Sequence, residues 1–167
     1  MGDIKIIAED LGYITDSVRQ LVRDCGFPNM KVLEFAFDSR DSSGAYEYLP
    51  YNYDKNCVVY TGTHDNETLK GWLSNIKPEE IVEIQKYIGK EVENKEEMVD
   101  EIIRMAHAST ADTCIIPIQD YLCLGNEARM NTPSTLGNNW KWRVKSSQLN
   151  KKLIEKVKRY TKLYGRG

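Results

Sequence analysis

Short apolar runs along this chain alternate with longer stretches in which apolar residues return every three or four positions. Residues 4–8 (IKIIA) are apolar and rich in β-branched side chains, which predicts a buried strand. Thr15 is placed to cap a following helix whose Val18, Leu21, Val22 and Cys25 share one face, and Gly26-Phe27-Pro28 stops it. Residues 31–37 (KVLEFAF) read as a second strand, giving a β-α-β unit that favours parallel strands and a right-handed crossover. A polar and aromatic loop follows over residues 38–56, holding Tyr46, Tyr48, Tyr51 and Tyr53; loops of this length usually carry function. Residues 57–60 (CVVY) form a third strand, and helical periodicity covers residues 67–74, 78–88 and 95–108. Residues 113–118 (TCIIPI) are a fourth strand-like run, in which Pro117 marks a strand end or an edge. The last helix spans residues 147–164, with Leu149, Leu153, Val157, Tyr160 and Tyr164 on one stripe.

The order βα-β-loop-β-ααα-β-loop-α contains no repeat and defines an α/β chain. Four parallel strands with helices between them suit an open doubly wound sheet or half of a barrel, and periodicity does not choose between these. The 167 residues match one domain with a substantial core, well short of the roughly 250 of a complete eight-unit barrel. The Met1-Gly2 start, almost directly at a strand, has the look of a truncated or artificial beginning.

Charge and cysteine usage narrow the classes. The net charge of −2 gives no global attraction to nucleic acid or membrane. Residues 78–101 carry nine acids against three bases, and residues 141–167 ten bases against the single acid Glu155. The lysines of that basic tail interleave with an apolar stripe, so a solvated helix face is expected rather than a polyanion site. Cys25, Cys57, Cys114 and Cys123 form no CxxC pair, and Cys57 and Cys114 read as buried free thiols. No run approaches the ~18 apolar residues of a membrane span, and no signal peptide is present, which leads to the expectation of a reduced, cytoplasmic protein.

Polar residues collect behind the strands: Glu9-Asp10-Leu11-Gly12 after the first, residues 61–66 (TGTHDN) after the third, Gln119 and Asp120 after the fourth. In a barrel, that end of each strand faces the active site, so carboxylates from separate strands would converge. Carboxylates with Tyr, Trp, Asn and Gln suit a neutral polyhydroxylated ligand, and glycosyl transfer uses paired carboxylates around an oxocarbenium-like transition state. There is no Gly-rich phosphate cradle, and two histidines, His64 and His107, leave little for a metal site, so no cofactor and no metal are expected. Each candidate has a plainer alternative. Asp65, His64 or Asn66 could cap the helix that begins near residue 67; Asp10 could bind loop amides; His107 and Trp72 could be core; Trp140 and Trp142, alternating about Lys141, could share one face of a strand.

Residues 7–12 (IAEDLG), 60–66 (YTGTHDN) and 119–143 (QDYLCLGNEARMNTPSTLGNNWKWR), in this order, resemble the amylomaltases, the 4-α-glucanotransferases or disproportionating enzymes. The resemblance runs from about Asp3 to Tyr164. It implies a (β/α)8 barrel of which residues 1–167 are a single partial domain, the carboxyl-terminal half with about four parallel strands and flanking helices. It implies a retaining double displacement on maltooligosaccharides or starch-like glucans, with Glu9 as acid/base, Asp65 as the transition-state-stabilising carboxylate and His64 on sugar hydroxyls. Asn66, Tyr48, Tyr51 and Tyr53 join them as candidate substrate-binding residues. The family's nucleophilic aspartate lies before the AEDLG motif and has no counterpart among the eight residues preceding Glu9, so these residues alone are expected to be inactive. Three positions depart from the family pattern: Glu34 stands where Gln is usual, Tyr51 where His is, and Ser134 where Gly is. A half barrel exposes strand edges and inner-face side chains, which implies self-association. A retaining glucan hydrolase, a non-catalytic glucan-binding module and a plain open-sheet domain are the competing readings.

Overall fold

The computed structural model describes residues 5–41 and 45–167. Three parallel strands, β1 (Asn29–Val32), β2 (Cys57–Tyr60) and β3 (Thr113–Ile115), form a sheet in the order β1-β2-β3. Asn29 pairs with Cys57 and Val32 with Tyr60; Tyr60 pairs with Ile115. The chain is thus α/β with a small parallel sheet, as expected for strands joined through helices.

The helices follow their local signals closely. Helix α1 (Asp16–Cys25) ends on Gly26 at φ 68°, the left-handed position where glycine is free of strain. Thr15 occupies its N-cap, but its hydroxyl pairs with Ser17 Oγ rather than with a helix amide. Helix α3 spans Leu69–Asn75. Helix α4 (Pro78–Ile88) opens on a proline whose missing N–H costs nothing there. Helix α5 (Lys95–Ala108) is capped by Asn94, which accepts from Glu97 N at 2.9 Å, and α7 (Lys151–Leu163) by Asn150, which accepts from Leu153 N at 3.1 Å. On α7 the stripe buries Leu153 and Tyr160 while Lys151, Lys152, Lys158 and Lys162 stay exposed, which is the solvated face expected of the basic tail.

Three expectations are corrected. Residues 31–37 do not run as one strand: β1 ends at Val32 and Leu33–Phe37 forms a single helical turn, α2. No β-branched residue follows Val32, and Leu, Glu and Ala favour the helical turn, which buries Leu33 and Ala36 together. The first strand shrinks to one parallel bridge, Ala8 to Asn29, with Ile6 and Ile7 43% and 46% exposed; Ile4 lies outside the described residues. A strand buried on both faces needs cover on both, and this run has one partner edge. The fourth run stops at Ile115, and Pro117 heads the short helix α6 (Ile118–Tyr121), so the proline does mark a strand end.

The main core cluster packs on one face of the sheet, and Val32 and Val58, which point to the other face, are also buried. Cys57 and Val59 of β2 pack with Leu69, Trp72 and Leu73 of α3 and with Met98, Val99, Ile102 and Ile103 of α5. Trp72 is 1% exposed and donates Nε1–H to Asp38 Oδ2 at 2.9 Å, so it is core. His107 is also internal, with Nε2 2.6 Å from the Tyr121 hydroxyl and its ring stacked 5.5 Å from Tyr160. All four cysteines are free thiols, with Cys57 buried and Cys114 half-buried. Among the described residues, no helix is long and apolar enough to cross a membrane.

Candidate active site

The site grows from the segment that follows β2. Its last ladder residue is Tyr60; Thr61 is buried and donates Oγ1–H to Asp120 Oδ2 at 2.6 Å. Asp120, carried at the head of α6, also accepts from Leu69 N at 2.9 Å. One carboxylate therefore clamps the end of β2 to the first turn of α3, where a negative charge also suits the helix dipole. Burial pushes the Asp120 carboxyl up to about 6, although the Thr61 and Leu69 donors pull the other way.

Thr68 is the cap of α3, its hydroxyl accepting from Gly71 N at 3.2 Å. Neither Asp65 nor Asn66 caps the helix. Asn66 instead folds the loop on itself: its Oδ1 accepts from Thr63 N at 2.9 Å and Thr63 Oγ1 at 2.7 Å. Asp65 is left half exposed at the surface of this turn, with its amide 3.3 Å from Thr63 Oγ1.

Around Asp65 the segment after α6 supplies a ring of partners. Asn131 Nδ2 donates to Asp65 Oδ1 at 2.6 Å, and Arg129 Nη2 donates to the Asp65 carbonyl at 2.7 Å. His64 Nε2 stands 3.3 Å from the same Oδ1, and Asn131 N donates to the His64 carbonyl at 3.1 Å. The Trp140 ring lies 5.0 Å from the His64 ring at 36°. Trp140 is 52% exposed and sits at φ 63°, off any strand, fixed by its N–H to Met130 O at 2.6 Å. Beside these residues a cleft of about 190 Å³ is lined by His64, Asn66, Gln119, Asp120, Arg129 and Met130, among others. A carboxylate, an imidazole and an exposed indole face at its edge form a surface that can take sugar hydroxyls and stack on a sugar ring.

Glu9 belongs to a different setting. It is exposed and directly follows Ala8, which is level with Asn29 and Cys57, the first residues of β1 and β2. No hydrogen bond or ion pair joins it to Asp65 among the described residues. Its neighbour Asp10 has the plainer role, accepting from Met30 N at 2.9 Å and Asn29 Nδ2 at 3.2 Å.

The tyrosines divide. Tyr53 is 7% exposed and donates its hydroxyl to Tyr48 O at 2.6 Å, so its ring is core and unavailable for stacking on a ligand. Tyr48 is half-buried against Phe35, 5.3 Å away edge to face, with Lys31 Nζ 5.7 Å over its ring. Tyr51 is 61% exposed, beside Tyr46 at 5.7 Å and Tyr87 at 6.4 Å. Trp140, Asn131 and Arg129 were not singled out by sequence reasoning as site residues, although all three lie in the 119–143 motif; their irregular backbone offers no periodicity to read.

Comparison with known proteins gives one answer. A family model described as 4-alpha-glucanotransferase matches residues 1–150. The 4-alpha-glucanotransferase of Clostridium butyricum is 48% identical over 170 residues, covering 99% of this chain and 33% of the relative. The chloroplastic/amyloplastic 4-alpha-glucanotransferase of Arabidopsis thaliana is 43% identical, over 99% of this chain and 28% of its own length. Amylomaltase from Streptococcus agalactiae, solved in complex with acarbose, superposes with a TM-score of 0.91 at 36% identity, over 100% of this chain and 33% of that one. The chain thus spans about a third of the length of the relatives it matches.

Proposed function

This chain belongs to the 4-alpha-glucanotransferase family, and from that premise we propose that it is the carboxyl-terminal half of a (β/α)8 barrel that transfers α-1,4-glucan segments between maltooligosaccharide or starch-like chains. The observation that carries this reading is the built surround of Asp65. Asn131 and His64 meet its carboxylate, Arg129 holds its backbone carbonyl and Trp140 packs on His64, while the carboxylate stays half exposed next to residues that line a cleft. In the proposed retaining reaction, Asp65 hydrogen-bonds the donor sugar and favours its distorted ring, while His64 takes neighbouring hydroxyls and Asn66 sets the turn. Glu9 protonates the glycosidic oxygen, which leaves as the 4-hydroxyl, and then deprotonates the incoming acceptor hydroxyl. The half-buried Tyr48 and the exposed Tyr51 extend the sugar-contacting surface.

The 167 residues alone are proposed to be inactive, since the family's nucleophilic aspartate precedes the AEDLG motif and no residue here matches it. The edge at Ala8, whose bridge to Asn29 is its only strand pairing among the described residues, and the exposed Ile6, Ile7 and Leu21 fit self-association. A reduced cytoplasmic setting fits the four free thiols.

The test is a chimera in which these residues replace the corresponding third of the Clostridium butyricum relative. It should disproportionate maltotriose, and Glu9→Gln or Asp65→Asn should each lower the rate about 10²–10⁴-fold without changing its melting temperature. A folded Glu9→Gln chimera that keeps the parent rate removes Glu9 from the reaction. Products of hydrolysis alone would favour a hydrolase over a transferase.

A further inference from the structure

The loop that carries Asp65 rests on a carboxyl group that this reaction leaves unused. Glu34, in α2, is 3% exposed. Its backbone N–H donates to the Thr61 carbonyl at 3.2 Å, one step past the end of the β1–β2 ladder. Its side chain runs beneath the turn beyond: a Cβ placed on Gly62 would stand 2.9 Å from Glu34 Oε1. Glycine at position 62 is what lets the carboxyl approach the loop this closely. The same Cβ would stand 3.2 Å from Asn66 Cβ, so the Glu34 carboxyl and the Asn66 side chain converge on Gly62, while Glu34 Oε1 has no hydrogen-bond partner among the described residues. Asn66 in turn holds Thr63 through its N–H and Oγ1, and Thr63 Oγ1 meets the amide of Asp65.

We propose that Glu34 is a positioning residue, which braces Asn66 from beneath and through the Asn66–Thr63 turn sets the placement of Asp65. The proposal rests on Asp65 being the working carboxylate, and it adds a residue to that site rather than a second site. The groups facing Glu34 are acids from three directions: Asp120 at the head of α6, Glu67 beyond the turn, and Asp38 at the end of α2. The nearby cation, Arg40, is engaged with Asp38 and lies 3.7 Å from Glu67. Burial first, then Asp120, Glu67 and Asp38, hold the Glu34 carboxyl well above the usual carboxylate range, against the pull of Asn66. A neutral carboxyl is compatible with an unpaired Oε1 at this depth; a charged one would sit unpaired beside Asp120. Ionising Glu34 is therefore the natural way to disturb the turn, and glutamine is its neutral replacement.

The experiment is carbon-detected NMR of the glutamate carboxyls in the 167-residue chain, with amide spectra followed over the same pH range. Glu34 should ionise well above the exposed glutamates, and the Thr63, Asp65 and Asn66 signals should move with it. Glu34→Gln should abolish that transition and keep those signals at their low-pH positions; Glu34→Ala should displace them at every pH. The sign for stability is fixed by the raised folded value: stability is full below the unfolded carboxyl range, is lost as pH rises through the folded one, and should lose this slope in Glu34→Gln. Acarbose affinity should fall ~10-fold or more in Glu34→Ala and be retained in Glu34→Gln, as expected when a positioning contact is lost or kept. A Glu34 that titrates with the surface glutamates, or one that titrates while the Thr63 and Asp65 amides stay still, overturns the proposal. If Glu34→Ala does not fold, the wild-type titration and Glu34→Gln decide it. If the amides respond but Asp65→Asn binds acarbose as tightly as the wild type, the positioning stands and the sugar reading of Asp65 fails.

Discussion

The segment from Lys5 to Gly26 and the segment from Cys57 to Trp140 each carry one candidate catalytic carboxylate, and they are built in opposite ways. In the first, α1 has no buried residue although its apolar positions recur at helical spacing, and Leu21 is 60% exposed. Among the described residues its sheet contact is the one bridge at Ala8, and Glu9 lies exposed beyond it. In the second, α5 buries seven residues and Asp65 is held by donors from Arg129 and Asn131. An amphipathic pattern records which face a helix needs to cover, and only the second segment has that cover within these residues. In a chain that spans about a third of its relatives, one half of the candidate site is assembled and the other presents its residues bare.

The largest effect expected from this contrast is in the core. Trp72→Ala removes a side chain packed among α3 and α5 and should lower unfolding stability by about 3–5 kcal/mol, whereas Leu21→Ala on the bare face of α1 should stay within ~0.5 kcal/mol. Urea unfolding of both variants checks this, and equal losses would mean that α1 is covered in solution. Next in size is Gly71→Ala. A Cβ there would stand 2.1 Å from Asn126 Oδ1, which accepts from Thr68 N, so the link between α3 and the 126–128 turn must shift. The expected loss is about 1–3 kcal/mol in the same assay. The pH dependence sharpens the comparison from the side of the clamp. Asp120 is raised to about 6, so its contribution is full below the unfolded carboxyl range and is lost as pH rises through about 6. Urea midpoints should decline across that window, and Asp120→Asn should flatten this part of the decline. The smallest effect is Ser134→Gly. Ser134 holds φ 60°, and relief of the left-handed backbone should raise stability by about 1 kcal/mol, read as a shift in melting temperature.

Much of this architecture was legible where local chemistry and tertiary packing agree. Pro78 and Gly89 bound α4, Asn94 bounds α5, and CVVY is β2 to the residue. The Ser134 departure from the family's glycine falls on a position whose backbone asks for one. Legibility failed where a long-range contact decides the outcome. Leu33–Phe37 turns helical where its apolar run suggested a strand, and IKIIA needs a neighbour on each side to behave as its composition predicts. Within the site, Asp65 and His64 stood out by motif, and Asp10 by its capacity to bind loop amides. Trp140 did not, because a left-handed backbone residue in an irregular segment leaves no periodic trace. Tyr53 was grouped with the sugar-facing tyrosines because sequence alone does not separate a ring that packs a loop from one that stands on it.

The central claim is that the surround of Asp65 is a sugar-binding surface already assembled in these residues. Titrating the 167-residue chain with acarbose, followed by amide and indole NMR signals, tests it most directly. The account predicts saturable shifts at His64, Asn131 and the Trp140 indole, weakened by Asp65→Asn and by Trp140→Ala, with Glu9 responding least. Shifts absent from those three residues at saturating acarbose, or unchanged in Asp65→Asn, would contradict it.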